Sequence, residues 1–150
     1  MVTLTRTTSQ DNDFLKLIVL LDEILKIYDG VEHEFFSQFN NLDTIKNVIV
    51  CYENNLPVGC GAFKEHNSST IEIKRMFVLP EIRGKGVASK ILIELEQWAS
   101  ELNYTICILE TGTNNPNAIS LYKKAGYFVS ENYGQYKNVE SSCCMKKIIK

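Results

Sequence analysis

The chain has 150 residues, of which 45% are hydrophobic and 23% are charged, the composition of one ordinary soluble globular domain that can bury its own core. Its formal net charge of -2 argues against a nucleic-acid-binding protein, because duplex binding depends on many lysines and arginines. The longest apolar run, residues 14–21, contains Lys16 and is far shorter than the roughly 20 residues that span a bilayer, so we expect no membrane association.

Apolar spacing and turn residues predict strands and helices in the order β-α-α-β-β-β-α-β-α-β-β. In chain order we expect a strand at 2–6, a helix at 14–28 closed by Asp29 and Gly30, a short helix within 31–40, strands at 46–53, 58–65 and 70–79, a helix at 86–102, a strand at 104–109, a helix at 114–125, and strands at 127–130 and 142–149. The middle strands form successive hairpins, and the helix after them connects two parallel strands. The sequence therefore predicts an α/β domain of the α+β kind with a mixed, mostly antiparallel sheet.

The five cysteines form no Cys-x-x-Cys pair, so the sequence predicts neither a disulfide framework nor a metal site. Cys51, Cys60 and Cys107 fall in strand-like runs, where cysteine usually serves as a small buried hydrophobic residue. Reduced thiols and the lack of a basic-then-apolar leader predict a cytoplasmic protein.

Residues 83–89 read Arg-Gly-Lys-Gly-Val-Ala-Ser and join an apolar strand to an amphipathic helix. Gly84 and Gly86 let backbone N–H groups approach a ligand, and the helix N-terminus adds unpaired donors and about half a positive charge. The sequence thus predicts a phosphate-binding turn. Two common nucleotide motifs do not fit, because the Walker P-loop pattern is absent and the dinucleotide fingerprint needs a third glycine in place of Ser89.

Two segments resemble the general-control-type N-acetyltransferase (GNAT) superfamily. Its cofactor motif is Gln/Arg-x-x-Gly-x-Gly/Ala after a strand that ends near a proline, and Arg83, Gly86 and Ala88 fill this motif behind Pro80. Residues 115–127 resemble the family segment Asn-x-x-Ala-x-x-Leu-Tyr-x-x-x-Gly-Phe/Tyr. The likeness also implies helices on both faces of the sheet.

The resemblance covers residues 72–127 and implies a single N-acetyltransferase domain over 1–150, with acetyl-CoA as its cofactor. It implies that residues 76–78 splay from the neighbouring strand, pair with the pantetheine arm and polarise the thioester carbonyl through an N–H group. The turn holds the pyrophosphate in this scheme, although Lys85 and Ser89 can equally be a solvated lysine and a plain helix residue. The expected cofactor-binding residues are Met76, Phe77, Val78, Arg83, Gly84, Lys85, Gly86, Val87, Ala88, Ser89, Asn115 and Tyr122.

Tyr122 is the candidate general acid. A tyrosine with a pKa of about 10 can return a proton to a departing thiolate whose thiol has a pKa of about 8.5. The alternative is a tyrosine that only packs in the core.

The amine must lose a proton before or during attack, and the resemblance implies Glu72 as the general base, because it matches a glutamate used this way in part of the family. Glu72 lies an even number of residues before Val78, so the two point to the same face of the strand unless a bulge intervenes. We expect a bulge in this strand, which weakens the argument from spacing. The alternative is a surface partner for a lysine. His33 is a weaker candidate for the base.

The resemblance implies an amine as the acetyl acceptor, and two sequence patterns give different hints about which amine it is. Residues 28–36 are acidic and aromatic, which suits a cationic amine, whereas Lys74 and Arg75 can hold the carboxylate of an amino acid. We expect a primary amine of a small molecule or amino acid. The alternatives are a protein or peptide N-acetyltransferase and a non-catalytic acyl-CoA-binding domain. A homodimer that pairs through residues 143–149 is a further expectation.

Overall fold

The computed structural model describes residues 1–32, 35, 42 and 44–150. The strands and α-helices of these residues are β1 (Val2–Thr7), α1 (Asn12–Asp29), β2 (Asn47–Glu53), β3 (Leu56–Asn67), β4 (Thr70–Val78), α2 (Val87–Glu101), β5 (Ile106–Gly112), α3 (Pro116–Lys124), β6 (Phe128–Ser130) and β7 (Ser142–Ile148). Short 3-10 turns occupy Gly30–Glu32, Pro80–Ile82 and Gly134–Tyr136. The short helix predicted within 31–40 falls mostly outside the described residues.

The strands form one sheet in the order β1-β2-β3-β4-β5-β7-β6. The pairs β1–β2, β2–β3, β3–β4, β5–β7 and β6–β7 are antiparallel, and β4–β5 is parallel. Hairpins connect β2 to β4, and the α2 crossover returns the chain in the parallel sense. The predicted mixed, mostly antiparallel sheet is confirmed.

Helices cover both faces of this sheet. On one face, α1 packs Phe14, Leu17 and Ile18 into a cluster with residues such as Phe77 of β4. On the other face, α2 and α3 share a second cluster with alternate residues of the same strands. The side chain of Asp11 begins α1 by accepting a hydrogen bond from the N–H of Phe14 at 3.0 Å. Helices on both faces are thereby confirmed.

A β-bulge interrupts β4 where it passes β3. Cys60 pairs with Phe77 and Ala62 pairs with Lys74, so Gly61 alone faces both Arg75 and Met76. A Cβ at Gly61 would lie 2.5 Å from the Sδ atom of Met76, which explains why glycine occupies this position. Arg75 has a φ of 58°, an unusual value for a residue other than glycine that marks local strain.

The bulge changes which face each β4 side chain occupies. Ile71 and Ile73 pack in the α2 cluster before the bulge, and Val78 packs there after it. Glu72 therefore lies on the opposite face from Val78, because the bulge expected in this strand adds one residue and reverses the alternation.

The strand β7 lies inside the sheet, between β5 and β6. Its residues 144–146 pair with β6 while 142–148 pair with β5. The middle of the run 143–149 is therefore paired on both sides, by β5 and β6. A homodimer stays a prediction.

Among the described helices, none combines the length and hydropathy that a bilayer crossing requires. The same part of the chain contains no group of three or more His, Cys, Asp or Glu side chains placed to hold a metal ion. Cys51, Cys60 and Cys107 are fully buried, as the strand pattern predicts. Residues 1–32 and 44–150 thus fold around two hydrophobic cores, one on each face of the sheet. The candidate site residues lie where β4 meets β5.

Candidate active site

The strands β4 and β5 separate soon after they begin to pair. Only Thr70–Glu72 pair with Ile106–Ile108, and from Ile73 onward this edge of β4 has no strand partner among the described residues. A cavity of about 730 Å³ opens in the gap and is lined from both faces of the sheet, by Val87 on the α2 side and Leu21 on the α1 side. The backbone of 76–78 therefore borders the cavity with an unpaired strand edge.

The phosphate-type turn lies at one end of the cavity. Gly84 and Gly86 have φ values of 83° and 81°, in the left-handed region that glycine adopts without strain. No side chain caps the N-terminus of α2 at Gly86, so the first N–H groups of the helix are free of intrahelical and side-chain partners. With the partial positive charge of the helix end, these groups have the chemistry that suits an anion at the cavity wall.

The individual residues of the turn differ in their placement. Arg83, Gly84 and the segment 86–89 line the cavity, whereas the exposed Lys85 does not. The Nε–H of Arg83 donates to the carbonyl oxygen of Val78 at 3.0 Å, which fastens the turn to the end of β4. The structure thus brings together the expected cofactor residues of the turn, except Lys85.

Tyr122 enters the cavity from α3. The helix begins at Asn115, whose side chain accepts a hydrogen bond from the N–H of Ala118 at 3.3 Å, with Pro116 in the first turn. Tyr122 is only 7% exposed, and its ring packs edge-to-face against Tyr127 with the centroids 5.8 Å apart. Burial raises the pKa of Tyr122, so its phenol keeps a proton at neutral pH and can act as a donor.

Glu72 lines the same cavity and is 3% exposed. The hydroxyl of Tyr133 donates to its Oε2 atom at 2.8 Å, and the ammonium groups of Lys64 and Lys74 lie 3.8 Å from its carboxylate oxygens. Lys64 is its direct neighbour across the hairpin. Glu72 is thus a lysine partner, as the alternative interpretation holds, but it is buried at the cavity rather than on the surface.

Lys74 and Arg75 also lie within the lining. Burial lowers the pKa of Lys74, while the charge of Glu72 opposes that shift. The Nη2 group of Arg75 donates to the Oδ1 atom of Asp22 on α1 at 2.7 Å. The Nε and Nη1 atoms of Arg75 are buried without a hydrogen-bond partner. This end of the cavity is therefore rich in charge, unlike the largely apolar contact between α2 and the sheet.

Sequence reasoning missed two residues of this end, Tyr133 and Asp22. They lie 61 and 53 positions from Glu72 and Arg75, the residues they contact. No local pattern marks them. Of the acidic and aromatic run 28–36, Glu32 lines the cavity, and the candidate His33 lies outside the described residues.

Comparisons with known proteins agree on one family. Residues 18–127 match the model of the Acetyltransferase (GNAT) family. The chain is 28% identical over 148 residues to the IAA acetyltransferase of Azospirillum brasilense, with 97% of each chain covered. It is 30% identical over 109 residues to the uncharacterised N-acetyltransferase YjgM of Escherichia coli K12, covering 71% of this chain and 58% of that protein.

Solved structures have the same fold. A Klebsiella pneumoniae protein described as an acyl-CoA N-acyltransferase superposes with a TM-score of 0.84 at 27% identity, over 100% of this chain and 99% of the other. The PaiA N-acetyltransferase of Thermoplasma acidophilum, solved in complex with coenzyme A, superposes with a TM-score of 0.73 at 20% identity over 99% of both chains. These likenesses extend beyond the matched segment to the whole sheet.

Proposed function

Because the chain belongs to the GNAT family of acetyltransferases, we propose that it transfers the acetyl group of acetyl-CoA to a primary amine of a small molecule or amino acid by direct attack. The observation that carries this proposal is the single cavity in which an unpaired strand edge, an uncapped helix N-terminus and a buried tyrosine meet. The name of the A. brasilense relative, an IAA acetyltransferase, supports a small-molecule acceptor.

The cavity fits the two polar parts of coenzyme A. The pyrophosphate needs N–H donors and positive potential, which the turn at 83–89 and the end of α2 offer. The pantetheine arm carries amides that need backbone partners, and the β5-facing edge of 76–78 is unpaired beyond the short parallel ladder. Bound acetyl-CoA supplies an acyl thioester, and an N–H of this edge would polarise its carbonyl oxygen.

Tyr122 serves as the proton donor in this proposal. As the new C–N bond forms, the C–S bond to the acetyl group breaks, and the sulfur atom takes the phenolic proton of Tyr122. A buried phenol suits this role because it is fully protonated before the reaction. Proton transfer by a positioned side chain typically contributes 10²–10⁴-fold to the rate.

Glu72 serves as the proton acceptor. An alkylammonium acceptor must release two protons to become an amide. The buried carboxylate of Glu72 receives the first, directly or through a water molecule, and passes it to solvent. The second leaves the nitrogen after the C–N bond forms and restores the phenol of Tyr122. The hydroxyl of Tyr133 fixes the carboxylate at 2.8 Å, and the ammonium groups of Lys64 and Lys74 lie 3.8 Å from its oxygen atoms. Both proton positions thus lie on the wall of one cavity.

The proposal is tested by incubating the protein with acetyl-CoA and a panel of primary amines, and by detecting acetylated amine by mass together with free thiol. We expect equimolar acetylamine and coenzyme A for at least one amine. A rise in melting temperature with coenzyme A but no acetylated product would indicate a non-catalytic binding domain, and product only on peptides would indicate a protein N-acetyltransferase.

A matched pair of tyrosine variants tests the role of the phenol. Tyr122→Phe should lower kcat by about 10²–10⁴-fold. Tyr127→Phe removes the hydroxyl of the neighbouring ring, which bonds to Glu96 and does not line the cavity. It should weaken folding and leave kcat near the wild-type value. Full activity of Tyr122→Phe would refute the general-acid assignment.

A further inference from the structure

The most unusual polar group of the described residues is the guanidinium of Arg75. Its side chain is 2% exposed, and it forms an ion pair with Asp22, which is half exposed on α1. Its Nε and Nη1 atoms are the only buried side-chain donors or acceptors without a partner in the part of the chain that the structure describes. Both belong to a residue that lines the cavity.

Leaving charged donors buried and unpaired is costly. A buried donor without a partner typically costs about 1–3 kcal/mol, and more for a charged group. The chain also holds Arg75 at a φ of 58° in the bulge, a second local cost. Such costs persist where the surrounding structure holds a group for a ligand. Both atoms are covered in the present arrangement, so an anion in the cavity would pair with them after the guanidinium turns away from Asp22.

The position of Arg75 separates it from the expected phosphate site. It precedes Val78, the last residue of β4, by three positions, a distance of about 10 Å along an extended strand. Its guanidinium reaches Asp22 on the α1 side of the sheet, whereas the phosphate-type turn opens onto α2. The Arg75 guanidinium therefore lies toward the α1 side of the cavity, away from this turn.

We propose that the acceptor amine carries a carboxylate, and that Arg75 binds this carboxylate through its unpaired N–H groups. The inference rests on the proposed acetyltransferase function and names its substrate class. The Nζ atom of Lys74 already lies 3.8 Å from Oε2 of Glu72. Arg75, in contrast, has two N–H groups without a hydrogen-bond partner.

The charges of the remaining lining agree with an amino acid. Glu32 and Glu110 also line the cavity and suit the ammonium group of the same molecule. The two conflicting hints of the sequence, acidic residues for an amine and basic residues for a carboxylate, are thereby reconciled in one zwitterionic acceptor. Arg75 acts in binding and takes no part in the proton transfers.

The test compares acceptors in matched pairs at saturating acetyl-CoA. The probes are L-α-amino acids and straight-chain ω-amino acids of two to six carbons, each with its neutral carboxamide. For the best acceptor we expect a kcat/KM for the acid about 10- to 100-fold above that for its amide, the range of one charge-assisted hydrogen bond. Arg75→Gln should reduce this ratio to near one through the KM of the acid. Arg75→Lys should keep part of it.

The ratio does not depend on the fraction of folded enzyme, because both acceptors are measured on one preparation. As the control, Asp22→Asn removes the present partner of Arg75 and should leave the ratio unchanged or raise it. An acid-to-amide ratio near one in the wild type, or an equal loss on both acceptors in Arg75→Gln, would overturn the proposal.

Failure of the proposed function is separable from failure of this inference. If no amine is acetylated, the same acids and amides are titrated against the coenzyme A-saturated protein by calorimetry. Binding of acids in preference to amides, lost in Arg75→Gln, would support the carboxylate site without acetyl transfer. Equal or no binding of acids and amides would reject it.

Discussion

Substituting Gly86 by alanine tests whether the turn at the start of α2 binds coenzyme A. Gly86 has φ 81° and ψ 11°, and an added Cβ would meet nothing within 4 Å. The whole penalty is therefore a backbone penalty, about 1–2 kcal/mol for a residue with a Cβ in the left-handed region. The substitution also restricts the unfolded chain, which offsets roughly 0.4–1 kcal/mol.

The backbone penalty of Gly86→Ala must lower either the free energy of unfolding or the affinity for coenzyme A. If the turn keeps its conformation, the free energy of unfolding falls by about 1 kcal/mol, which corresponds to a melting temperature lower by about 2–4 °C. If the turn relaxes, binding must restore the left-handed conformation, and the Kd for coenzyme A rises about 5- to 30-fold. Thermal unfolding and calorimetric titration of the same preparations measure both.

Gly134 provides the matched control. It also has a positive φ, 51°, and open space around an added Cβ, but it does not line the cavity. Gly134→Ala should therefore lower stability and leave the Kd for coenzyme A unchanged. Gly86→Asn should lose less stability or less affinity for coenzyme A than Gly86→Ala, because asparagine tolerates the left-handed conformation better than alanine. Wild-type stability together with wild-type affinity in Gly86→Ala would refute the reasoning.

Three further variants or labels test the fold. Gly61→Ala should lower the free energy of unfolding by about 1–3 kcal/mol by overpacking the bulge, since the new Cβ would lie 2.5 Å from Met76 Sδ; an unchanged urea midpoint would contradict this. A thiol reagent should label Cys143 first, because the other four cysteines are buried. The labelling of Cys143 should itself be slow, because partial burial raises the pKa of its thiol. Rapid labelling of several thiols in the native protein would show that the core is not packed as described. The Arg6 guanidinium lowers the pKa of Glu101 from 4.5 to about 2, so the stability from this pair is complete above pH 4.5 and is lost as the pH falls toward 2. Arg6→Gln should flatten the fall of the urea midpoint across that window, and an equally steep fall would exclude the pair as its cause.

Local patterns in the sequence predicted much of the fold. Gly30 ends α1 as expected. Asn54 and Asn55, which lie between the predicted strands 46–53 and 58–65, form the turn of the first hairpin with positive φ values. These features depend on residues near one another in the chain. Alternation and helical spacing gave the strands and helices, since each element has a buried side.

Contacts between segments far apart in the chain determine the features that local patterns could not predict, such as the partners of the site residues and the position of β7 in the sheet. The reversal of Glu72 depends on Gly61 across the hairpin, because one residue of β3 faces two of β4. The pairs Glu72–Tyr133 and Arg75–Asp22 join distant segments. The insertion of β7 between β5 and β6 is likewise a matter of tertiary packing. The roles assigned to the site residues stay predictions.

A crystal structure of the protein with coenzyme A tests the central claim most directly. We predict that the pyrophosphate accepts hydrogen bonds from backbone N–H groups of 84–89, and that the pantetheine amides pair with the edge of β4 at 76–78. The thiol should lie within reach of the Tyr122 hydroxyl, about 2.6–3.2 Å or through one water molecule. Coenzyme A bound outside the gap between β4 and β5, or with its sulfur remote from Tyr122, would contradict the account.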